Sequence, residues 1–186
     1  DDVVITSALR TPIGTYKGSL KNLSADKLGA LAIKEAVHKS NLKSEQIDEV
    51  IMGHVLTSGL GQNPARQASI NAGIPVSKPA HIVNQVCGSG LRSIVSGFQS
   101  IKLEEDMIVV SGGQENMSRA PHALFYRENK KLDESKLIDT MINDGLIDSF
   151  NHYHMGVTAE NVAEKFEISR DEQDNFALNS QKKTQE

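Results

Sequence analysis

Runs rich in β-branched residues alternate with amphipathic stretches along residues 3–111, and few folds accommodate that alternation. Residues 3–7 predict a strand. Residues 10–20 carry Pro12, Gly14 and Gly18 and predict a loop. Ser24 is placed to cap a helix whose apolar face opens with Leu28, Leu31, Ala32 and Ile33 and runs on to Val37. A second strand is expected over 48–55. After the glycine-rich stretch 57–62, Asn63 caps a helix with Pro64 at its first position and Gly73 at its end. Residues 80–86 read as a third strand, 88–103 as a helix and 107–111 as a fourth strand. The fourth run is apolar, as expected of a strand covered on both faces. Alternation of this kind implies an α/β layered fold, a mainly parallel sheet with helices on both faces. It does not encode the strand order.

After Gly112-Gly113 the texture changes. Residues 117–151 are polar and carry no strand signal, and a helix is expected near 133–145. Residues 156–166 and 169–182 read as further helices, the second opening on Ser169-Arg170-Asp171-Glu172, a capping box. The expected division is an α/β domain over 1–116 and the start of a helical domain over 117–186. The chain stops at Glu186 inside a helical pattern, as a piece cut within a domain would.

Composition excludes several function classes. Net charge is −4 and there is no Trp, so neither a basic field nor a stacking platform for nucleic acid is expected. Lys130-Lys131 is flanked by Glu128, Asp133 and Glu134 and reads as a solvated loop. No apolar stretch has the length of a membrane span, and residues 1–5 lack the pattern of a secretory signal. A single cysteine makes no internal disulfide, so a reducing, cytoplasmic location is expected.

That cysteine is Cys87, in Asn84-Gln85-Val86-Cys87-Gly88-Ser89-Gly90-Leu91-Arg92-Ser93. The segment falls between a strand and a helix. Gly88 and Gly90 permit a tight turn and close approach to the backbone. A helix N-terminus offers unpaired N–H groups and a positive dipole end, which favour a thiolate and suit a developing oxyanion. The arrangement is that of a nucleophile elbow with sulfur in place of oxygen. A lone cysteine is also commonly a small buried apolar residue, and the residues themselves leave both readings open. Gly88-Ser89-Gly90-Leu91-Arg92-Ser93 approaches a dinucleotide fingerprint, but Ser93 replaces the third glycine, and the next strand ends in Val110-Ser111-Gly112 with no acidic residue placed for a ribose. His152-Tyr153-His154 has the look of a metal pair, but with one Cys and no carboxylate cluster nearby no metal is expected. Met155 by itself reads as packing filler.

The Cys87 segment closely resembles the acylated-cysteine motif of the thiolases. Three further segments agree in the family's order: Arg10-Thr11-Pro12-Ile13-Gly14, Gly112-Gly113-Gln114-Glu115-Asn116-Met117-Ser118, and His154-Met155-Gly156-Val157-Thr158-Ala159-Glu160-Asn161-Val162-Ala163. The resemblance spans the chain and is nearest to the short-chain, biosynthetic type. It implies a thiolase-like fold and acyl transfer between coenzyme A thioesters through Cys87. The substrates implied are acetyl-CoA and acetoacetyl-CoA, with no cofactor. The resemblance implies that Leu146, His154 and Met155 wall a narrow acyl pocket, and that residues 119–131 form the loop through which such enzymes assemble as tetramers.

The resemblance also implies what this chain does not carry. Thiolases are roughly twice this length, and their second half supplies a histidine that activates the nucleophile, an acid/base cysteine and an asparagine that holds a catalytic water. The chain by itself is therefore expected to be inactive. Two other classes share features with it: a condensing enzyme of the ketoacyl synthase type, which shares the fold and the cysteine turn, and a non-catalytic thiolase-like scaffold.

Overall fold

The computed structural model describes residues 2–127 and 133–185. Lys130 and Lys131, and with them part of the 119–131 loop, lie outside the described residues. The chain divides into two compact units, Asp1–Gly145 and Leu146–Glu186.

The first unit is built on a three-stranded parallel sheet of order β2-β1-β3, with β1 Glu49–Gly53, β2 Ala80–Val83 and β3 Val109–Gly113. Val50 of the central strand stands beside Ala80 on one side and Val110 on the other. Alternation along β1 sends Val50 and Met52 to one face and Ile51 and Gly53 to the other. Helices α1 (Ala25–Lys39) and α2 (Pro64–Asn71) cover the Val50/Met52 face, where Ile33, Val37, Ala65 and Ala68 complete a buried core. Helix α3 (Ser89–Lys102) covers the other face, with Gly97 set so close to Ser111 and Val109 that a Cβ there would lie 2.5 Å from the Ser111 hydroxyl. The expected layers are present, with helices on both faces of a parallel sheet.

Local chemistry explains the element ends. Asn63 Oδ1 accepts the Arg66 N–H at 3.0 Å, Pro64 opens α2, and Gly73 leaves it at φ 93°. Asp48 ties the start of β1 to the start of β3 by accepting the N–H groups of Met107 and Ile108, each at 3.0 Å.

Three expectations are corrected. Residues 3–7 form no strand. An apolar cavity of about 500 Å³, walled in part by Ile94, Phe98 and Val110, lies along the segment and β3. A β-rich run becomes a strand only where an edge comes within hydrogen-bonding reach; here the anchor is Ser7, whose hydroxyl donates to Ala36 O at 2.8 Å. The fourth strand is less covered than its apolar sequence implied, with its valines only half-buried. The polar stretch after Met117 does hold strands: β4 His122–Ala123 pairs antiparallel with β5 Ile138–Asp139, and only α4 Thr140–Gly145 of the helix expected at 133–145 is helical. Thr140 sets this register by donating both its N–H and its hydroxyl to Pro121 O.

The second unit carries α5 (Met155–Lys165) and α6 (Arg170–Gln185). The capping box is formed: Ser169 N–H donates to Glu172 Oε2 at 2.8 Å, and Glu172 N–H to Ser169 Oγ at 3.3 Å. Among the described residues no helix is long and apolar enough to cross a membrane.

Candidate active site

Five residues, 84–88, connect β2 to α3, and Cys87 lies on this turn with its side chain exposed. The turn is closed by hydrogen bonds from Gly88 N–H to Gln85 O at 3.0 Å and from Ser89 N–H to Val86 O at 3.1 Å. Asn84 Oδ1 accepts the Val86 N–H at 2.9 Å. The buried Ser89 hydroxyl accepts from Gln85 N–H at 2.9 Å and donates to Val86 O at 2.6 Å.

The glycines do not make the tight bend, contrary to the expectation from sequence. Gly88 has an ordinary φ of −85°, whereas Val86 stands at φ 48°, a left-handed conformation rare for a β-branched residue. What glycine supplies is proximity. A Cβ on Gly53 would lie 2.4 Å from the Ser89 carbonyl carbon and 2.5 Å from Gly90 N, so the end of β1 presses directly on the N-terminus of α3. Gly90 itself would meet nothing nearer than 4.0 Å.

The segment Gly112-Gly113-Gln114-Glu115-Asn116-Met117-Ser118 acts as a set of fasteners. Glu115 accepts the N–H groups of Val55 and Leu56 at 2.9 and 3.1 Å. Asn116 Nδ2 donates to Leu23 O at 2.6 Å, and Ser118 Oγ accepts the Lys17 N–H at 2.8 Å. Gln114 Nε2 lies 3.2 Å from Nδ1 of His54, whose side chain is wholly buried. The other ring nitrogen faces Glu115 Oε1 at 3.2 Å, off the hydrogen-bond line. Sequence reasoning passed over His54, because a lone histidine after an apolar strand carries no pattern; its partners arrive 60 residues later.

Leu146, His154 and Met155 lie in the second unit, and Cys87 in the first. The structure joins the three through one small loop. Met155 N–H donates to Leu146 O at 2.8 Å, and Ile147 bridges His154. Asp148 Oδ2 closes the loop by accepting the N–H groups of Asn151 and Phe150 and the Asn151 amide. The Asn151 N–H, foremost among these donors, holds the Asp148 carboxyl below its usual range against the opposing effect of desolvation. Leu146 and Met155 are half-buried and His154 is exposed. His154 Nδ1 accepts the Gly156 N–H at 3.0 Å and so caps α5, which leaves Nε2 to carry the proton of the neutral ring. Asp148 is the acidic neighbour of His152, but among the described residues no three His, Cys, Asp or Glu side chains gather as metal ligands would.

The family model described as "Thiolase, N-terminal domain" matches residues 3–186. The chain belongs to the thiolase family. Among curated proteins, an acetyl-CoA acetyltransferase of Cupriavidus necator is 53% identical over 185 residues, which cover 99% of this chain and 47% of the relative. That of Paracoccus denitrificans is 52% identical over 182 residues, 98% of this chain and 46% of the relative. A rat protein named "Acetyl-CoA acetyltransferase, cytosolic" is 49% identical over 185 residues, 100% of this chain to the nearest per cent and 47% of the relative. This thiolase chain thus spans about half the length of the curated relatives it matches. The turn that carries Cys87 lies within the matched residues of an acyltransferase family.

Proposed function

We propose that the protein carrying this chain is an acetyl-CoA C-acetyltransferase, with Cys87 as its nucleophile. One observation carries the reading: an exposed thiol on a braced turn that leads into the N-terminus of α3, in a chain about half identical to proteins named for this activity. In the first stage the Cys87 thiolate attacks the carbonyl carbon of acetyl-CoA. The carbon–sulfur bond to coenzyme A breaks, and the departing thiolate takes up a proton. In the second stage a base removes a methyl proton from another acetyl-CoA. The resulting carbanion attacks the acetyl-cysteine carbonyl, a carbon–carbon bond forms, and the Cys87 thiolate leaves with acetoacetyl-CoA complete. The reverse sequence cleaves acetoacetyl-CoA with coenzyme A. Thiolate suits both stages because it is both a good nucleophile and a good leaving group.

The same proposal gives Leu146, His154 and Met155 the walls of a short acyl pocket; of the Gly88–Gly90 turn, where the Gly88 and Ser89 N–H groups already close on Gln85 O and Val86 O, it gives the developing oxyanion the N–H at Gly90. The bases come from the rest of the protein, so the 186-residue piece alone does not turn over. Residues 1–116 form the nucleophile domain and 117–186 the start of the domain that binds the acyl group. The 119–131 loop joins subunits of a homotetramer. Coenzyme A and its thioesters are the only small molecules required, with no cofactor, and the location is cytoplasmic, as in the name of the rat relative.

Cys87→Ala in the full-length protein should abolish acetoacetyl-CoA thiolysis, and turnover at the wild-type rate would reject the assignment. Coenzyme A esters alone should suffice as substrates. A strict need for a carrier-protein thioester would instead indicate a ketoacyl synthase type of enzyme.

A further inference from the structure

Val86 is held in a conformation that its own chemistry disfavours. A β-branched residue at φ 48° brings its side chain against the backbone, and an unconstrained turn would relax to negative φ. Packing does not hold it there, because Val86 is 50% exposed. Hydrogen bonds do. Its N–H is taken by Asn84 Oδ1 at 2.9 Å, and its carbonyl receives the Ser89 hydroxyl at 2.6 Å and the Ser89 N–H at 3.1 Å. The same hydroxyl accepts the Gln85 N–H at 2.9 Å, so one oxygen grips the turn on both sides of the strained residue. Ser89 in turn has no freedom to move. It is 4% exposed, and its backbone lies against Gly53 with no room for a Cβ.

The Val86 carbonyl belongs to the peptide that enters Cys87. No peptide in the described residues is cis, so fixing that carbonyl also fixes the direction of the Cys87 N–H, which points the opposite way. The Ser89 hydroxyl therefore sets the plane from which the Cys87 side chain departs.

We propose that Ser89 is a positioning residue of the acyl transfer: its hydroxyl holds Val86 in the left-handed conformation and thereby aims the sulfur of Cys87. This rests on the reading of Cys87 as the nucleophile. Ser89 does not touch substrate; it transmits the position of the sheet, through Gly53, to the reacting atom. The strain at Val86 makes the grip necessary, since a residue content at positive φ would stay there unheld. Glycine is such a residue.

The test uses the full-length protein and five variants, two of them the double variants that add Val86→Gly. Ser89→Ala should lower kcat for acetoacetyl-CoA thiolysis by about 10²-fold, the scale on which a misplaced reacting group costs rate, with KM little changed. Alkylation of Cys87 by iodoacetamide should slow in parallel. Adding Val86→Gly to Ser89→Ala should restore most of both rates, because glycine takes the left-handed conformation without being held. Asn84→Ala, at an exposed position, releases the other end of Val86. It should show a smaller loss with the same rescue, and it keeps the test available if Ser89→Ala does not fold. Cys87→Ala is run alongside. If Cys87→Ala is inactive while Ser89→Ala or Asn84→Ala turns over at the wild-type rate, the positioning role is overturned and the nucleophile stands. A loss that Val86→Gly leaves unrepaired also overturns it. If Cys87→Ala itself turns over normally, the underlying reading is what fails.

Discussion

Asp48 joins three parts of the first unit through one carboxylate. It accepts the N–H groups of Met107 and Ile108 and lies 3.5 Å from Lys78 Nζ. The Met107 N–H does most to hold its carboxyl below the usual 3.8; desolvation opposes this, and the Ile108 N–H and Lys78 add to it. A carboxyl depressed in the fold contributes stability in full above its unfolded pKa, and that contribution is lost as pH falls through the lower folded value. The acid limb of the stability curve, below about pH 4, should therefore carry this residue. Asp48→Ala should cost about 1–3 kcal/mol at neutral pH, with a smaller further loss on acidification than the wild type shows. Urea melts at neutral and acidic pH check this; an acid limb unchanged by the substitution would contradict it. If Met155 walls the proposed acyl pocket, Met155→Ala in the full-length protein should raise kcat/KM for longer acyl chains relative to acetoacetyl-CoA, as steady-state kinetics on a chain-length series would register. The position of Cys87 on a turn between strand and helix was legible, because Gly88 and Gly90 follow it between an apolar run and a helical one. The bend beside it was not, since the sequence points to the glycines and the structure bends at Val86. A β-branched residue in the left-handed region depends on partners that only the fold brings together.

At the scale of elements, local chemistry was readable and pairing was not. Asn63, Pro64 and Gly73 announce the ends of α2, and Ser169 with Glu172 announces the start of α6; all four signals act within a few residues of where they sit. Asn63 does more than cap. Its Nδ2 donates to Ala80 O at 2.9 Å, tying α2 to β2, and its own φ is 42°. Asn63→Ala should cost about 1–2 kcal/mol and Asn63→Gly less, because glycine tolerates both the cap position and the positive φ. Thermal melts of the two variants decide this, and equal losses would contradict it. Residues 3–7 and the β4–β5 ladder fail as sequence predictions for one reason. A strand is defined by its partner, and neither the open edge of β3 nor the anchoring of Thr140 on Pro121 is written locally.

The whole molecule shows its unfinished side on α3. That helix buries Ser89, Ser93, Gly97 and Ser100 and leaves Leu91, Ile94 and Phe98 exposed, the reverse of a helix on a finished surface. The chain spans about half the length of its relatives, and the remaining half is the proposed cover for this face. The 186-residue piece should accordingly bind a hydrophobic dye strongly and show no thiolysis, whereas the full-length protein should bind little dye and turn over. Weak dye binding by the piece, or thiolysis by it at ordinary rates, would contradict this. The layered fold class was legible at this scale because alternation of strands and helices is a property of the chain as a whole. The order β2-β1-β3 was not, because it depends on where each crossover lands.

The role of the exposed sulfur is tested most directly by trapping the acyl-enzyme. Full-length protein is mixed briefly with acetyl-CoA labelled in the acetyl group, quenched in acid and mapped by peptide mass spectrometry. Label on the peptide that contains Cys87, discharged when coenzyme A is added before the quench, is the expected result. An enzyme that makes acetoacetyl-CoA while that peptide stays unlabelled, or carries the label elsewhere, would contradict it.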